Sequence, residues 1–546
     1  MSVRRAQILF GILFSLFVGL MIRFAYIQFF STSTLAEAAF KQRLSNNSVE
    51  TLRGNILDRN RIPFTNRSQK YSVLIKPAYM PKSESEREKV SKALGLQPEV
   101  LDNLGSKSSP VILPADKTAS NAIADMESDW VTVLHSLNRY DSGTLAKHVL
   151  GYLNRKDRVG QAGLEKVYEN ELRDSSSYEI GTVTDAAKTP IKGLGYRMKT
   201  SGSDKKISVQ LTLDYHIQKI VEEIMDRNSV SGAVVIEDVA TGDILAMASR
   251  PDFDPDAVEN YLGSSGKELF NKATAAYNLG SVFKIIDVAA MYEYTDIIPE
   301  NYFCEGAIDI NGLQFKCSSY LSGGHGEIGL EQAFAMSCNT YFINLCQKIG
   351  YKNLIGMAQQ FGLAEGTGIA DQGVSEAKGS LPPLKGYFSQ ADIANLAIGQ
   401  GVLLATPLQV ADIVATVANG GIKNRVNIVD SLVDEDGRVI KEIHVKEGHR
   451  IISRETADKI RSLMEAVTSY GTGTAAGMEY YGGAGGKTGS AETGTSGVVH
   501  AWFSGYFPTT QPKYSVTVFI ENGQYGGKAA APIFSEIARE MTDKGF

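Results

Sequence analysis

Cysteine is scarce in this chain. Four thiols in 546 residues are too few to brace a disulfide-built scaffold, so a packed core must hold the fold. A basic excess is missing too. The formal net charge is −6, which leaves no electrostatic footprint for nucleic acid. Nor is there a repeat of 20–50 residues or a long low-complexity tract, which sets aside solenoids and biased tails. What remains is ordinary globular composition, 43% hydrophobic and 21% charged, long enough for several domain-sized units.

One long apolar run stands at the start. Arg4 and Arg5 precede Ile8–Ile22, interrupted only by Ser15 and two glycines, and apolar character continues past Arg23 to Phe30. As a helix, residues 8–30 reach roughly 35 Å, enough for a bilayer core of about 30 Å. No Ala-x-Ala cleavage site follows, so the run reads as an uncleaved signal anchor. The expected order is a cytoplasmic tail at 1–7, a transmembrane anchor at 8–30 and the rest outside the membrane.

Residues 31–205 read as a mixed α/β region. A helix is expected over Leu35–Leu44, a charge-rich strand and turn at Arg53–Arg59, a strand at Tyr71–Ile75 and a polar helix at Glu84–Leu94. A Ser/Gly/Lys-rich linker near Thr200–Lys206 marks a boundary, and the last unit is 206–546. There Asp214 is expected to cap a helix, Thr241-Gly242-Asp243 to turn a hairpin, Leu330–Ile349 to be largely helical, and three strands to close the chain before a last helix through Phe534–Met541. Strands, then helices, then strands predict an α+β class, with helices packed on an antiparallel sheet.

The chemistry gathers around Leu279–Lys284. A flexible Gly280 opens an apolar run, with Ser281 and Lys284 three apart and so on one helical face. A serine hydroxyl needs a base, and a lysine whose pKa is lowered by burial can serve. Ser-x-x-Lys also occurs at Ser203/Lys206, Ser264/Lys267 and Ser375/Lys378, in polar surroundings that read as solvated loops. Two further pieces follow in order: Ser337-Cys338-Asn339, then Lys487-Thr488-Gly489-Ser490 after a glycine-rich stretch.

This ordered triplet resembles the active-site motifs of penicillin-binding proteins and serine β-lactamases. Further stretches are similar to class B penicillin-binding proteins: Arg53-Gly54 with Asp58-Arg59, Leu145–Tyr152, Gly163-Leu164-Glu165, Leu211–Asp214, Thr241–Met247 and Ala501–Tyr506. Asn60-Arg61 stands where that family has a glycine, and Leu279 where it often has proline. The resemblance implies an elongated pedestal (or dimerisation-like) domain at 31–205 and a penicillin-binding transpeptidase domain at 206–546.

It also implies the reaction, D,D-transpeptidation of peptidoglycan stem peptides in cell-wall synthesis for division, elongation or spore cortex. Ser281 would be the nucleophile, Lys284 its base and Ser337 a proton relay. Asn339 would hold the substrate amide and Lys284, and Lys487 would raise the positive potential. Thr488 and Ser490 would bind the substrate carboxylate, and Gly489 would let the strand approach the substrate. β-Lactams would acylate Ser281. The partners implied are stem peptides on a lipid-linked precursor, the cell membrane and a separate glycosyltransferase, since no second catalytic domain precedes. A β-lactam sensor or β-lactamase-like protein shares the triplet, and a non-catalytic scaffold of a wall-synthesis complex is the other alternative.

The chemistry itself requires no cofactor. Cys304, Cys317 and His325, however, fall in one glycine-rich stretch just before Ser337. A disulfide between Cys304 and Cys317, free thiols, or zinc held by Cys304, Cys317 and His325 with Asp309 or Cys338 as fourth ligand all fit the spacing.

Overall fold

The computed structural model describes residues 3–30, 44–51, 53–105, 107, 110–126, 128–173, 177–183, 196–201, 206–386, 388–495 and 497–546. Residues 35–43 of the expected helix, residues 202–205 of the linker and Ser203 lie outside them.

The chain forms two units: Met1–Arg53, Ser68–Asn138 and Asp174–Asp204 in one, and Gly54–Arg67, Arg139–Arg173 and Lys205–Phe546 in the other. The last division between the units, at Asp204 and Lys205, falls beside the expected cut. Two stretches expected in the pedestal fold with the C-terminal unit, because their polar and strand partners are there. Ile56–Leu57 pairs in parallel with Ser208–Leu211. Arg139, buried, ties the two stretches to each other, holding Glu165 at 2.6 Å and the Gly54 carbonyl at 2.6 Å. The Ala146 amide donates to Glu222 at 2.7 Å.

In the first unit, helix α1 (Val3–Phe30) contains a stretch, Gln7–Tyr26, of mean hydropathy 2.3 that is long and apolar enough to cross a membrane. Ser68–Ile75 is the middle strand of a three-stranded antiparallel sheet; the expected strand forms, but Ser72–Ile75 are buried without alternation, with Val73 and Ile75 in the core of this unit. The helix at Glu84–Ala93 forms as expected and covers this core through Val90.

The second unit is built on a five-stranded antiparallel sheet. After the Ser208–Leu211 strand comes helix α2 (Tyr215–Arg227), capped by the Asp214 carboxylate on the His216 and Ile217 amides. Strands β1 (Gly232–Asp238) and β2 (Ile244–Arg250) form the expected hairpin. Helix α3 (Lys284–Tyr294) follows, then α4 (Leu330–Ala335), α5 (Asn339–Ile349), α6 (Pro407–Ala418) and α7 (Arg454–Ser469). Strands β3 (Gly485–Glu492), β4 (Val499–Phe507) and β5 (Tyr514–Ile520) return to the sheet, and α8 (Gly526–Asp543) ends the chain.

The sheet order is β2-β1-β5-β4-β3, which leaves β3 at an edge. The period of two in β4 sends Trp502 and Tyr506 to one face and Phe503 and Phe507 to the other. Both faces are therefore covered: α2 and α8 pack on the Phe503 side, and α3, α5 and α7 on the Trp502 side. Helix α6 is buried at all twelve positions, started by Pro407 and a Thr406–Gln409 capping box. Such a helix has no solvent face and acts as the central strut of the domain.

Candidate active site

Ser281 does not sit in the α-helix itself. It lies in a tight 3-10 turn, Gly280–Phe283, whose last residue leads into α3 at Lys284. Gly280 takes a left-handed φ of 57°, and a Cβ there would stand 2.6 Å from the Ser490 carbonyl oxygen. Only glycine lets the serine turn press this closely on β3. Gly489 serves the same approach. Its Cβ would come within 2.8 Å of the Leu279 carbonyl, so its smallness fits the serine turn.

The expected helix over Leu330–Ile349 is broken. Between α4 and α5 the chain turns at Ser337, which has a left-handed φ of 56°. A non-glycine residue in that region carries a cost of order 1 kcal/mol and marks a residue held for function. The break lifts Ser337 out of the helix surface and into the space between two lysines.

Those lysines are Lys284 and Lys487, both completely buried. Lys284 Nζ donates to the Ser337 carbonyl (2.8 Å), to Ser337 Oγ (3.2 Å) and to Asn339 Oδ1 (2.9 Å). Lys487 Nζ donates to Ser337 Oγ (2.9 Å) and to the Thr488 carbonyl (3.2 Å). Phe342 and Phe334 rings flank the two ammonium groups at 5.2 and 5.5 Å. Burial lowers Lys284 to about 8. Lys487 is pulled well below its usual value, by burial first and by the Lys284 charge second. Asp287, one turn beyond Lys284, is buried so deeply that its carboxyl is pushed well above the usual range. It therefore supplies little counter-charge to hold Lys284 protonated.

Ser281, Asn339 and Ser490 line one cleft of about 960 Å³. Ser281 Oγ has no hydrogen-bond partner among the described residues and faces this space. Thr488 Oγ1 is held at 2.6 Å by Thr472 Oγ1, a residue the sequence reading missed. Its only local signal is the Gly471-Thr472-Gly473 turn. The hairpin-like stretch between Cys304 and His325 contains a hairpin of Ala307–Ile310 and Leu313–Lys316, whose contribution of Phe315 and Lys316 to the cleft was not foreseen. Of the rival Ser-x-x-Lys pairs, Lys267, Ser375 and Lys378 are exposed, as solvated loops should be.

The hairpin is pinned to the active site. Asn339 Nδ2 donates to the Lys316 carbonyl (3.1 Å), and the Asn339 amide donates to Cys317 Sγ (3.3 Å). At its base, Cys304, Cys317, His325 and Cys338 place their four ligand atoms within 4.8 Å of one another. Cys304 Sγ and Cys317 Sγ stand 3.6 and 3.5 Å from His325 Nδ1, and Cys317 Sγ is 3.8 Å from Cys338 Sγ. All four cysteines are free thiols. Asp309, the other candidate for the fourth position, instead accepts the Gly312 amide in the hairpin turn. Cys317 is lowered, chiefly by its hydrogen bond with the Cys338 thiol.

Comparison with known proteins agrees with this architecture. Residues 232–539 match the penicillin-binding protein transpeptidase domain, and residues 48–204 the penicillin-binding protein dimerisation domain. The stage V sporulation protein D of Bacillus subtilis is 30% identical over 98% of this chain and 85% of its own length. The peptidoglycan D,D-transpeptidase MrdA of Acinetobacter baumannii is 26% identical, covering 94% of this chain and 84% of its own. A chain in a structure described as "Structural coordination of polymerization and crosslinking by a peptidoglycan synthase complex" shares the fold, with a TM-score of 0.72, 24% identity and 98% of each chain covered. With the transpeptidase match over more than half its length and the dimerisation-domain match before it, the chain belongs to the class B penicillin-binding proteins.

Proposed function

We propose that this cleft performs peptidoglycan D,D-transpeptidation through a serine acyl-enzyme. The observation that carries the reading is the lysine–serine–lysine bridge three residues beyond Ser281 in the chain: a buried lysine whose pKa burial lowers to about 8, a relay hydroxyl, and a second buried lysine behind it.

Lys284 Nζ, once neutral, takes the Ser281 proton as Oγ attacks the carbonyl carbon of the penultimate D-alanine. The oxyanion that forms is met by the backbone amides of Ser281 and Ser490, an effect worth roughly 3–4 kcal/mol per donor. The proton then passes through Ser337 Oγ to the departing D-alanine nitrogen as the C–N bond breaks. An acceptor amine attacks the ester, loses its proton by the same relay, and Ser281 Oγ is reprotonated. Thr488 and Ser490 hydroxyls hold the terminal carboxylate, and Lys487 supplies positive potential. Gly489 allows the close packing that brings these groups together. β-Lactams acylate the same serine.

Zinc fits the cysteine cluster. Tetrahedral zinc, with Zn–S near 2.3 Å and Zn–N near 2.0 Å, sets S···S at about 3.8 Å and S···N at about 3.5 Å. The separations of 3.8, 3.5 and 3.6 Å lie on those values. Cys304, Cys317, His325 and Cys338 would hold the ion, and when bound it supplies a structural cross-link. Its effect on the reaction runs through Asn339, which the same loop clamps.

Helix α1 would anchor the chain in the membrane as a single span, with Arg4 and Arg5 on the cytoplasmic side and the catalytic unit outside. The fold shared with a chain of a polymerising and cross-linking complex supports a separate glycosyltransferase partner working on the lipid-linked precursor. The deciding experiment is intact-mass spectrometry of the full chain with a fluorescent penicillin, wild type against Ser281→Ala. One stable covalent adduct on the wild type and none on the variant is expected. An adduct that vanishes within minutes would point instead to a hydrolase.

A further inference from the structure

The catalytic cleft leaves some buried charges of the second unit unused. Helix α6 is buried along its whole length, and Asp412 is the one charged residue in it. A carboxylate in a helix with no solvent face needs partners for both of its oxygens. Asp412 Oδ2 has one, the Lys423 ammonium. Asp412 Oδ1 is as deeply buried and has no hydrogen-bond partner among the described residues. Asp412 and Lys423 line a cavity of about 200 Å³ that shares no residue with the catalytic cleft. Its walls come from α6, from the segment 423–426 that follows it, and from the loop at 362–367, where Gly362 and Gly366 bring no side chain into the space.

The other charges of this cavity are unmatched. The Arg425 guanidinium makes no ion pair or hydrogen bond among the described residues, and neither does the Glu365 carboxylate. These groups select a ligand. A simple anion drawn to Arg425 would meet Asp412 Oδ1 and Glu365. A simple cation drawn to those carboxylates would meet Arg425 and Lys423. A molecule with both signs on neighbouring atoms satisfies the two sets together: its carboxylate takes the planar guanidinium fork, and its ammonium donates to the carboxylates. The cavity lies below the range of about 300–1,000 Å³ that holds drug-sized ligands, so that molecule is small.

We infer that this cavity is a second binding site, for a small free α-amino acid in its zwitterionic form, with its carboxylate on Arg425 and its ammonium at Asp412 and Glu365. D-Alanine, which the proposed reaction sets free, belongs to that class and serves as the probe. The site itself stands on its own residues and not on that reaction.

The test titrates the full chain in detergent with D-alanine and reads binding by saturation-transfer NMR, before and after treatment with penicillin to occupy the catalytic cleft. A dissociation constant of about 1 mM is expected for a ligand of so few atoms, the same in both states. Propionate and ethylamine, which carry one charged group each, should bind about tenfold more weakly. So should D-alanine to Arg425→Gln and to Glu365→Gln, each of which removes one charge-assisted hydrogen bond. Arg425 is half-buried and Glu365 exposed, so both variants should keep the wild-type melt and penicillin labelling. Equal binding of propionate and D-alanine would overturn the inference, and so would an unchanged affinity in Arg425→Gln. Binding that penicillin abolishes belongs to the catalytic cleft and would overturn it as well. No binding at about ten times the expected constant would mean that the cavity holds water alone, which also overturns it.

Discussion

The pH dependence of acylation is the sharpest consequence of the buried lysine pair. Lys284 must be neutral to accept the Ser281 proton, and burial lowers it to about 8. At pH 7 roughly one molecule in ten then carries the neutral base, and at pH 9 about nine in ten do. The second-order rate of penicillin acylation should therefore climb nearly tenfold between pH 7 and pH 9 and level off above. The Lys284→Arg variant keeps the charge but cannot lose it, and should fall by about 10²–10⁴, the usual worth of a general base. Stability moves the same way and must be separated from rate. A lysine depressed in the folded state makes the unfolded chain bind more protons between about pH 8 and pH 10.5, so folding gains stability across that window as pH rises. Rates from stopped-flow labelling of the full chain, divided by the fraction labelled at saturation, remove that contribution. A profile that stays flat from pH 6 to pH 9, or a Lys284→Arg variant that retains the rising limb, would refute Lys284 as the base.

Three further outcomes are expected. Gly280→Ala should cost about 1–3 kcal/mol of stability and most penicillin acylation, because its Cβ would stand 2.6 Å from the Ser490 carbonyl at a left-handed φ; a thermal melt and a labelling assay read both. Thr472→Val removes the 2.6 Å partner of Thr488 Oγ1 without changing volume, and should lower kcat/KM for carboxylate-bearing β-lactams about fivefold, the worth of one hydrogen bond of about 1 kcal/mol. Purified protein should carry about one equivalent of zinc by atomic emission, and a strong chelator should remove both metal and penicillin labelling, with zinc restoring them. Metal-free protein that labels fully with an unchanged melt would rule the ion out as a structural support.

Much of the molecule was legible locally. Short apolar runs on either side of Thr241-Gly242-Asp243 marked the central hairpin, and Asp214 marked a helix cap. These signals act within a few residues and need no knowledge of the rest of the fold. The three motifs were legible too, since their residue types and order survive any packing. The run from Ile8 to Phe30 was legible because its length and apolar composition alone match what a bilayer core would require.

Tertiary structure decided the rest. Helical periodicity carried Leu330–Ile349 as one stretch. The break at Ser337 exists because the buried Lys284 and Lys487 need an acceptor between them, and that need comes from residues far away in the chain. Cys338 rather than Asp309 completes the cysteine cluster, because the hairpin turn uses the Asp309 carboxylate while the start of α5 carries Cys338 to the other thiols. Segments 54–67 and 139–173 join the catalytic unit through a parallel strand pair and the Ala146 amide on the buried Glu222, neither of which has a short-range signature. The base strength of Lys284 is likewise a property of burial. Its residue type and its place three beyond Ser281 are written in the chain, but the desolvation that brings its pKa to about 8 comes only with the packed helical layer around it.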